Sequence, residues 1–228
     1  MSNRNRADRP AAPPLVLASG SPRRREYLAL LGARFRVRAP AVPEAPRPGE
    51  RPADLALRLS LAKAEEVAAR HPEDLVLAAD TIVVLEGRVL GKPAGPAEAL
   101  EMLRALRGRE HAVYTALALA RGRDGLRRRD IAATPVRMAP YTDEEIARYV
   151  ATGDPLDKAG AYAIQAVGFA PVERFRGCYA NVVGLPMCHL YRSLEALGHA
   201  TPIHPLDACP LAAAQGCPWA YGILHATR

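Results

Sequence analysis

The chain of 228 residues carries 31 Lys+Arg against 24 Asp+Glu, a formal charge of +7, and 49% of it is hydrophobic. Those proportions exclude a disordered protein and suit a globular α/β chain, long enough for one substantial core or for two lobes around a cleft. No apolar stretch is long enough to cross a bilayer, aromatics are only 5% without the basic interleaving of a single-strand nucleic-acid surface, and the four cysteines lack the close pairs of a structural zinc site.

Residues 1–13 hold charge but no apolar segment of a signal peptide, and are expected to form a disordered leader on a cytoplasmic protein with free thiols. Leu15 to Ala18 then reads as a buried strand, Gly20 permits a sharp turn, and Ser21-Pro22 is a helix start of the N-cap and N1 kind. Arg23, Arg24 and Arg25 follow at once. A helix N-terminus with free N–H groups, followed by guanidinium forks, is a phosphate-facing construction, although Ser-Pro also opens ordinary helices with solvated arginines. The helix is expected to end at Gly32, with Phe35 to Ala39 extended after it.

A proline-rich loop from Pro40 to Pro52 carries Glu44. Asp54 is a good helix start, and Leu55, Leu59, Ala62 and Val67 keep a helical period through Arg70, with Lys63 inside it. Leu75 to Ala79 reads as a buried strand delivering Asp80 and Thr81 at its carboxyl end. Ile82 to Leu85 and Arg88 to Leu90 read as a hairpin turning at Glu86-Gly87. Gly91-Lys92-Pro93 is a rigid loop, and a helix runs from Pro96 to about Arg107.

Two longer strands, His111 to Ala120 and Leu126 to Met138, flank a turn, and Pro135 inside the second predicts an edge position or a bulge. Thr142 to Glu145 is a capping box before a helix ending near Gly153. Asp157 to Gln165 reads as a loop rising into a short strand. Val172 to Phe175 and Tyr179 to Val183 read as another hairpin, and Pro186 begins a helix ending at Gly198. Residues 199–228 lose all periodicity and form an appended tail of unknown role.

Anions at sheet ends hold a divalent ion and cations neutralise phosphates, so the Ser/Arg turn, Glu44, Asp80-Thr81 and Lys92 together fit a metal-assisted reaction on a polyphosphate. In order along the chain stand Ala18-Ser-Gly-Ser-Pro-Arg-Arg24, Lys63-Ala64, Ala79-Asp-Thr-Ile-Val83, Gly91-Lys-Pro93, Asp157-Lys-Ala-Gly-Ala-Tyr162, Ile164-Gln165 and Val182-Val-Gly-Leu-Pro186. On those motifs residues 14–198 resemble the Maf-like nucleoside triphosphate pyrophosphatases, which share an architecture with the inosine triphosphate pyrophosphatases. The resemblance implies a mixed, elongated central sheet flanked by helices, with two lobes around a nucleotide cleft.

It also implies hydrolysis of a nucleoside triphosphate between its α and β phosphates, and with it the clearing of non-canonical nucleotides. Asp80 matches the proton acceptor of the family. Asp80 and Glu44 would hold Mg²⁺ or Mn²⁺, Ser19, Ser21, Arg23, Lys63, Lys92 and Lys158 would bind phosphate, and Asp157 is a further cleft residue. Arg24, Thr81 and Gln165 match the branch acting on dTTP and UTP, and a glutamine amide offers both donor and acceptor to a pyrimidine edge. Relatives suggest a homodimer, with neither a membrane nor a stable nucleic-acid partner. Pro43, Ala116, Asp154 and Ala166 depart from common family residues. The other readings are a 7-methyl-GTP pyrophosphatase and a non-enzymatic nucleic-acid-binding or cell-division regulatory protein, which the basic charge would also suit.

Overall fold

Eleven consecutive residues, Leu75–Leu85, form one unbroken strand, β3, and its length determines where the molecule opens. The computed structural model describes residues 14–226, so the expected leader at 1–13 lies outside the described residues. The other strands are β1 (Leu15–Ala18), β2 (Phe35–Val37), β4 (Arg88–Leu90), β5 (Glu110–Arg121), β6 (Leu126–Met138) and β7 (Val172–Phe175). They make one seven-stranded sheet in the order β2-β1-β3-β5-β6-β7, with β4 paired to β3.

The sheet is mixed, as expected: β1 runs parallel to β2 and β3, and the remaining pairs are antiparallel. On one edge β3 pairs with β1 only over Leu75 to Ala78 and with β4 only over Val83 to Leu85. On its other edge β5 accompanies it from Val76 to Val84. The four residues Ala79 to Ile82 therefore face a gap between β1 and β4. Asp80 and Thr81 lie in that gap, in mid-strand rather than at the strand end that the sequence suggested.

Helix α2 (Pro52–Arg70) lies over one face, burying Leu55, Ala56, Leu59, Ser60, Lys63, Ala64, Val67 and Ala68 at helical spacing. It begins two residues before Asp54. The opposite face carries α1 (Pro22–Leu30), α5 (Tyr179–Val183) and α6 (Met187–Glu195) at one end and α3 (Pro96–Leu106) and α4 (Asp143–Ala151) at the other. Two core clusters divide this face: Leu15, Leu17, Tyr27, Leu28, Leu77 and Leu190 belong to the first, and Val83, Leu85, Leu103, Ile146 and Tyr149 to the second. Each fully buried Leu, Ile or Val of these clusters contributes about 1.5–3 kcal/mol of transfer free energy. The cleft opens where the two clusters part.

Several local expectations hold. Ser21 caps α1 with Pro22 at its first turn, Glu86 and Gly87 turn the β3–β4 hairpin with φ of +50° and +80°, and Thr142 and Glu145 form the capping box of α4. Pro135 directs its carbonyl to the Arg176 N–H, on the β7 side, next to a bulge at Arg137/Met138. Its missing N–H thus costs no β5 bond.

Two further expectations fail. The strand predicted within 157–165 is absent: 3-10 turns at Asp154–Asp157 and Ala159–Ala161 occupy the segment, with Gly160 at φ +68° and its Cα so close to Val83 that a Cβ would stand 3.0 Å from that side chain. The second predicted hairpin is half right, because Tyr179–Val183 is helical and closed by Gly184 in the left-handed region. The segment after 198 is folded, forming α7 (Pro205–Ala208), α8 (Pro210–Gln215) and α9 (Ala220–Leu224). Ala208 and Cys209 join the first core cluster beside Tyr27 and Leu28, and Ile203 N–H donates to Leu31 C=O.

Candidate active site

β1 ends at Ala18, and its continuation Ser19-Gly20-Ser21 turns the chain into α1 at the rim of the gap. Ser21 N–H donates to Ser19 Oγ at 3.2 Å, and Ser21 Oγ accepts the Arg24 N–H at 3.5 Å. This turn carries Arg23 and Arg24 to the cleft.

Period two along β3 sends Asp80 and Thr81 to opposite faces of the sheet. Asp80 meets α2, where Lys63 stands in the buried stripe four residues from both Leu59 and Val67. Lys63 Nζ lies 2.6 Å from Asp80 Oδ1 and 2.7 Å from Glu44 Oε1, so one buried ammonium gathers the strand and the proline-rich loop. Thr81 meets Arg24 on the other face: Arg24 Nη2 donates to Thr81 Oγ1 at 3.0 Å, its Nε to Gly184 C=O at 3.0 Å and its Nη1 to Ser19 Oγ at 3.3 Å.

The two carboxyls are driven apart. Burial raises the Asp80 carboxyl above the ordinary carboxylate range, and the Lys63 and Arg24 charges only partly oppose it. Glu44 is more exposed; partial burial works upward there too, but the hydrogen bond and charge of Lys63, with Lys92 and Arg24 behind it, leave its carboxyl below the usual value. The Asp80 carboxyl therefore holds a proton more readily than its neighbour Glu44 does.

A cleft of about 660 Å³ is lined by Ser19, Ser21, Arg23, Arg24, Glu44, Lys63, Asp80, Thr81, Lys92, Asp157 and Lys158. Every expected site residue but one is brought together there. Gln165 instead lines an adjoining hollow of about 580 Å³ with Tyr149, Thr152 and Ala166, joined to the cleft through Pro22, Arg23, Asp157 and Lys158, which border both. The two spaces can together accommodate a ligand with a charged and a neutral end.

The cations differ in readiness. Arg23 and Lys92 have no ion pair among the described residues. Lys158 is buried, with its ammonium donating to Asp154 Oδ1 at 2.9 Å, to Asp157 Oδ1 at 2.7 Å and to Asp154 C=O at 2.5 Å. Its three donors are used within its own loop. Asp154, which the sequence marked only as a departure, lines the adjoining hollow and also accepts from the Tyr149 hydroxyl at 2.7 Å.

A family profile described as Maf-like protein matches residues 14–197. The chain belongs to the Maf-like family. Its relatives include a dTTP/UTP pyrophosphatase of Thermomicrobium roseum, 51% identical over 209 residues that cover 88% of this chain and 95% of that protein. The dTTP/UTP pyrophosphatases of Geobacter sulfurreducens and Geobacter metallireducens are 51% and 49% identical, each over 185 residues covering 81% of this chain and 96% of the relative. Among solved structures, a nucleoside-triphosphatase / dITP/XTP pyrophosphatase of Mycobacterium abscessus has a TM-score of 0.39 and 17% identity, covering 87% of this chain and 96% of that one.

Behind Arg24 and Thr81 of this Maf-like chain stand Gly184, from the Val182–Pro186 motif, and Thr115 and Asn181, which belong to none of the motifs. Thr115 is the one hydroxyl in the Ala112–Ala120 stretch that is fully buried, and it is the cross-strand partner of Thr81. A polar residue inside a buried apolar strand was the available signal.

Proposed function

We propose that this chain hydrolyses dTTP and UTP to the nucleoside monophosphate and pyrophosphate. The reading rests on one observation above all: two carboxylates joined by a buried lysine, and two cations without an ion pair among the described residues, meet in the same cleft, in a chain about half identical to proteins named dTTP/UTP pyrophosphatase.

In this reading the cleft would offer a divalent ion two carboxylates, with its remaining ligands coming from substrate and water. Asp80 and Glu44 each give only one oxygen to Lys63 among the described residues, leaving Asp80 Oδ2 and Glu44 Oε2 for a ligand. Two carboxylates completed by phosphate oxygens and water suit Mg²⁺ or Mn²⁺, which when bound would acidify a water and draw charge from the phosphates.

In this reading Asp80 takes the proton of the attacking water as its oxygen joins phosphorus, and the bridging bond between the α and β phosphates breaks to release pyrophosphate. Arg23 and Lys92 bind the departing phosphates, with the Ser19–Ser21 turn and the N-terminus of α1 beside them. Lys63 holds Asp80 and Glu44 in position and keeps one N–H for the substrate. Lys158 holds Asp154 and Asp157 in place. Arg24, Thr81 and Gln165 select the nucleotide.

Incubation of the purified chain with dTTP, UTP, CTP and 7-methyl-GTP in Mg²⁺, with and without chelator, tests the reading. Chelator-sensitive pyrophosphate release from dTTP and UTP is the expected result. Orthophosphate alone, or a preference for 7-methyl-GTP, overturns it.

A further inference from the structure

Behind the cleft, hydrogen bonds starting from Arg24 form a closed circuit. In one direction Arg24 Nη2 donates to Thr81 Oγ1, which lies 2.9 Å from Thr115 Oγ1, and Thr115 donates to Asn181 C=O at 2.9 Å. In the other, Arg24 Nε donates to Gly184 C=O, while Gly184 N–H donates to the same Asn181 C=O at 3.0 Å.

The circuit has a fixed polarity. A carbonyl only accepts, so the Thr115 proton points to Asn181, and Thr115 must accept from Thr81. Thr81 in turn uses its proton on Thr115 and a lone pair on Arg24. Its hydroxyl is therefore committed away from the cleft, and its effect on a bound nucleotide passes through the guanidinium. Arg24 has three of its five N–H groups held by protein, and one each on Nη1 and Nη2 remain.

Asn181 is anchored in its turn, its Nδ2 donating at 2.9 Å to both Val113 C=O and Thr134 Oγ1. Thr115 and Asn181 have no exposed surface. Gly184 sits at φ +115°, a conformation L side chains rarely adopt, and an added Cβ would stand 3.3 Å from Thr81 Oγ1, so a side chain there would strain the turn and crowd the threonine.

We infer that Thr115 and Asn181 are positioning residues for nucleotide selection, acting without touching substrate by holding Arg24 and Thr81 in one orientation. The inference rests on the proposed dTTP/UTP pyrophosphatase reading. Pre-organised donors discriminate because a wrong ligand cannot be met by their rearrangement.

The test compares Thr115→Val, Thr115→Ala and Thr115→Ser for pyrophosphate release from dTTP, UTP and CTP, with thermal melts of each. The Val and Ala variants should remain folded, lose about fivefold to tenfold in kcat/KM on dTTP, as a lost neutral hydrogen bond implies, and narrow the dTTP-to-CTP ratio. Thr115→Ser should restore both quantities. In an Arg24→Lys background the further effect of Thr115→Val should vanish, because the residue acts through the guanidinium.

A folded Thr115→Val or Thr115→Ala chain with wild-type ratio and kcat/KM overturns the inference, as does full additivity with Arg24→Lys. Failure of both to fold would make Thr115 a stability residue and overturn it equally. A wild-type chain that releases no pyrophosphate from dTTP or UTP defeats the functional reading itself, which separates the two failures.

Discussion

Lys63 Nζ and Asp80 Oδ1 lie 2.6 Å apart with both side chains more than nine-tenths out of water, so each charge is tolerated because of the other. Burial drives the Asp80 carboxyl up and Lys63 restrains it. Replacing Lys63→Met removes the restraint and leaves the burial. The Asp80 titration, followed by carboxyl carbon-13 shifts in the free protein, should move to higher pH, and turnover at neutral pH should fall with the ionised fraction. An unmoved titration would mean that Lys63 does not set the charge state of Asp80.

Asp80→Asn should cost turnover about 10²- to 10⁴-fold, the usual contribution of a positioned base. Stability should survive, for a physical reason. Because the folded-state pKa is raised, the ionised carboxylate at neutral pH is less favourable folded than unfolded, and a neutral amide escapes that penalty. Lys63 keeps Glu44 as its counter-ion. A melting temperature near or above wild type together with lost turnover is the expected pair; near-wild-type turnover would remove Asp80 from the chemistry.

Gln165 is exposed in the hollow beside the cleft, and its side chain makes no hydrogen bond among the described residues. Gln165→Ala should therefore change stability by no more than about 0.5 kcal/mol. Its effect should fall on the ratio of dTTP and UTP to CTP, measured as kcat/KM. An unchanged ratio would place the nucleotide base away from this hollow.

What the sequence made legible was local. Ser21-Pro22, Glu86-Gly87 and Thr142–Glu145 carry their conformations in neighbouring side chains, so start, turn and cap could be read directly. The polar pair Asp80-Thr81 looked like a strand end because nothing in the sequence says that β1 stops and β4 has yet to begin beside it. Tyr179–Val183 is too short for its period to distinguish helix from strand, and Gly184 decides it. Motif order gathered the cleft residues. It could not reveal Thr115, whose hydroxyl partners lie 34 and 66 positions away, nor that Lys63, four residues from Leu59 and Val67, turns inward.

His111 gives the fold a dependence on pH that is separate from the cleft carboxyls. It is 4% exposed in β5, its Nε2 lies 2.7 Å from the Tyr162 hydroxyl, and burial pushes its ring down to about 4. An unfolded histidine titrates near ~6.5, so between those values the unfolded chain binds a proton that the folded one refuses. The stability contributed by the neutral ring is thus whole above the unfolded value and is lost as pH falls toward the folded one. From pH 7 to pH 5 the loss from this residue should be about 2 kcal/mol. Gln at this position can still meet the Tyr162 hydroxyl without titrating. Urea unfolding at both pH values should show wild type losing about 2 kcal/mol more than His111→Gln, since every other ionisable group is common to the two chains. Equal losses would mean that His111 is protonated in the folded protein.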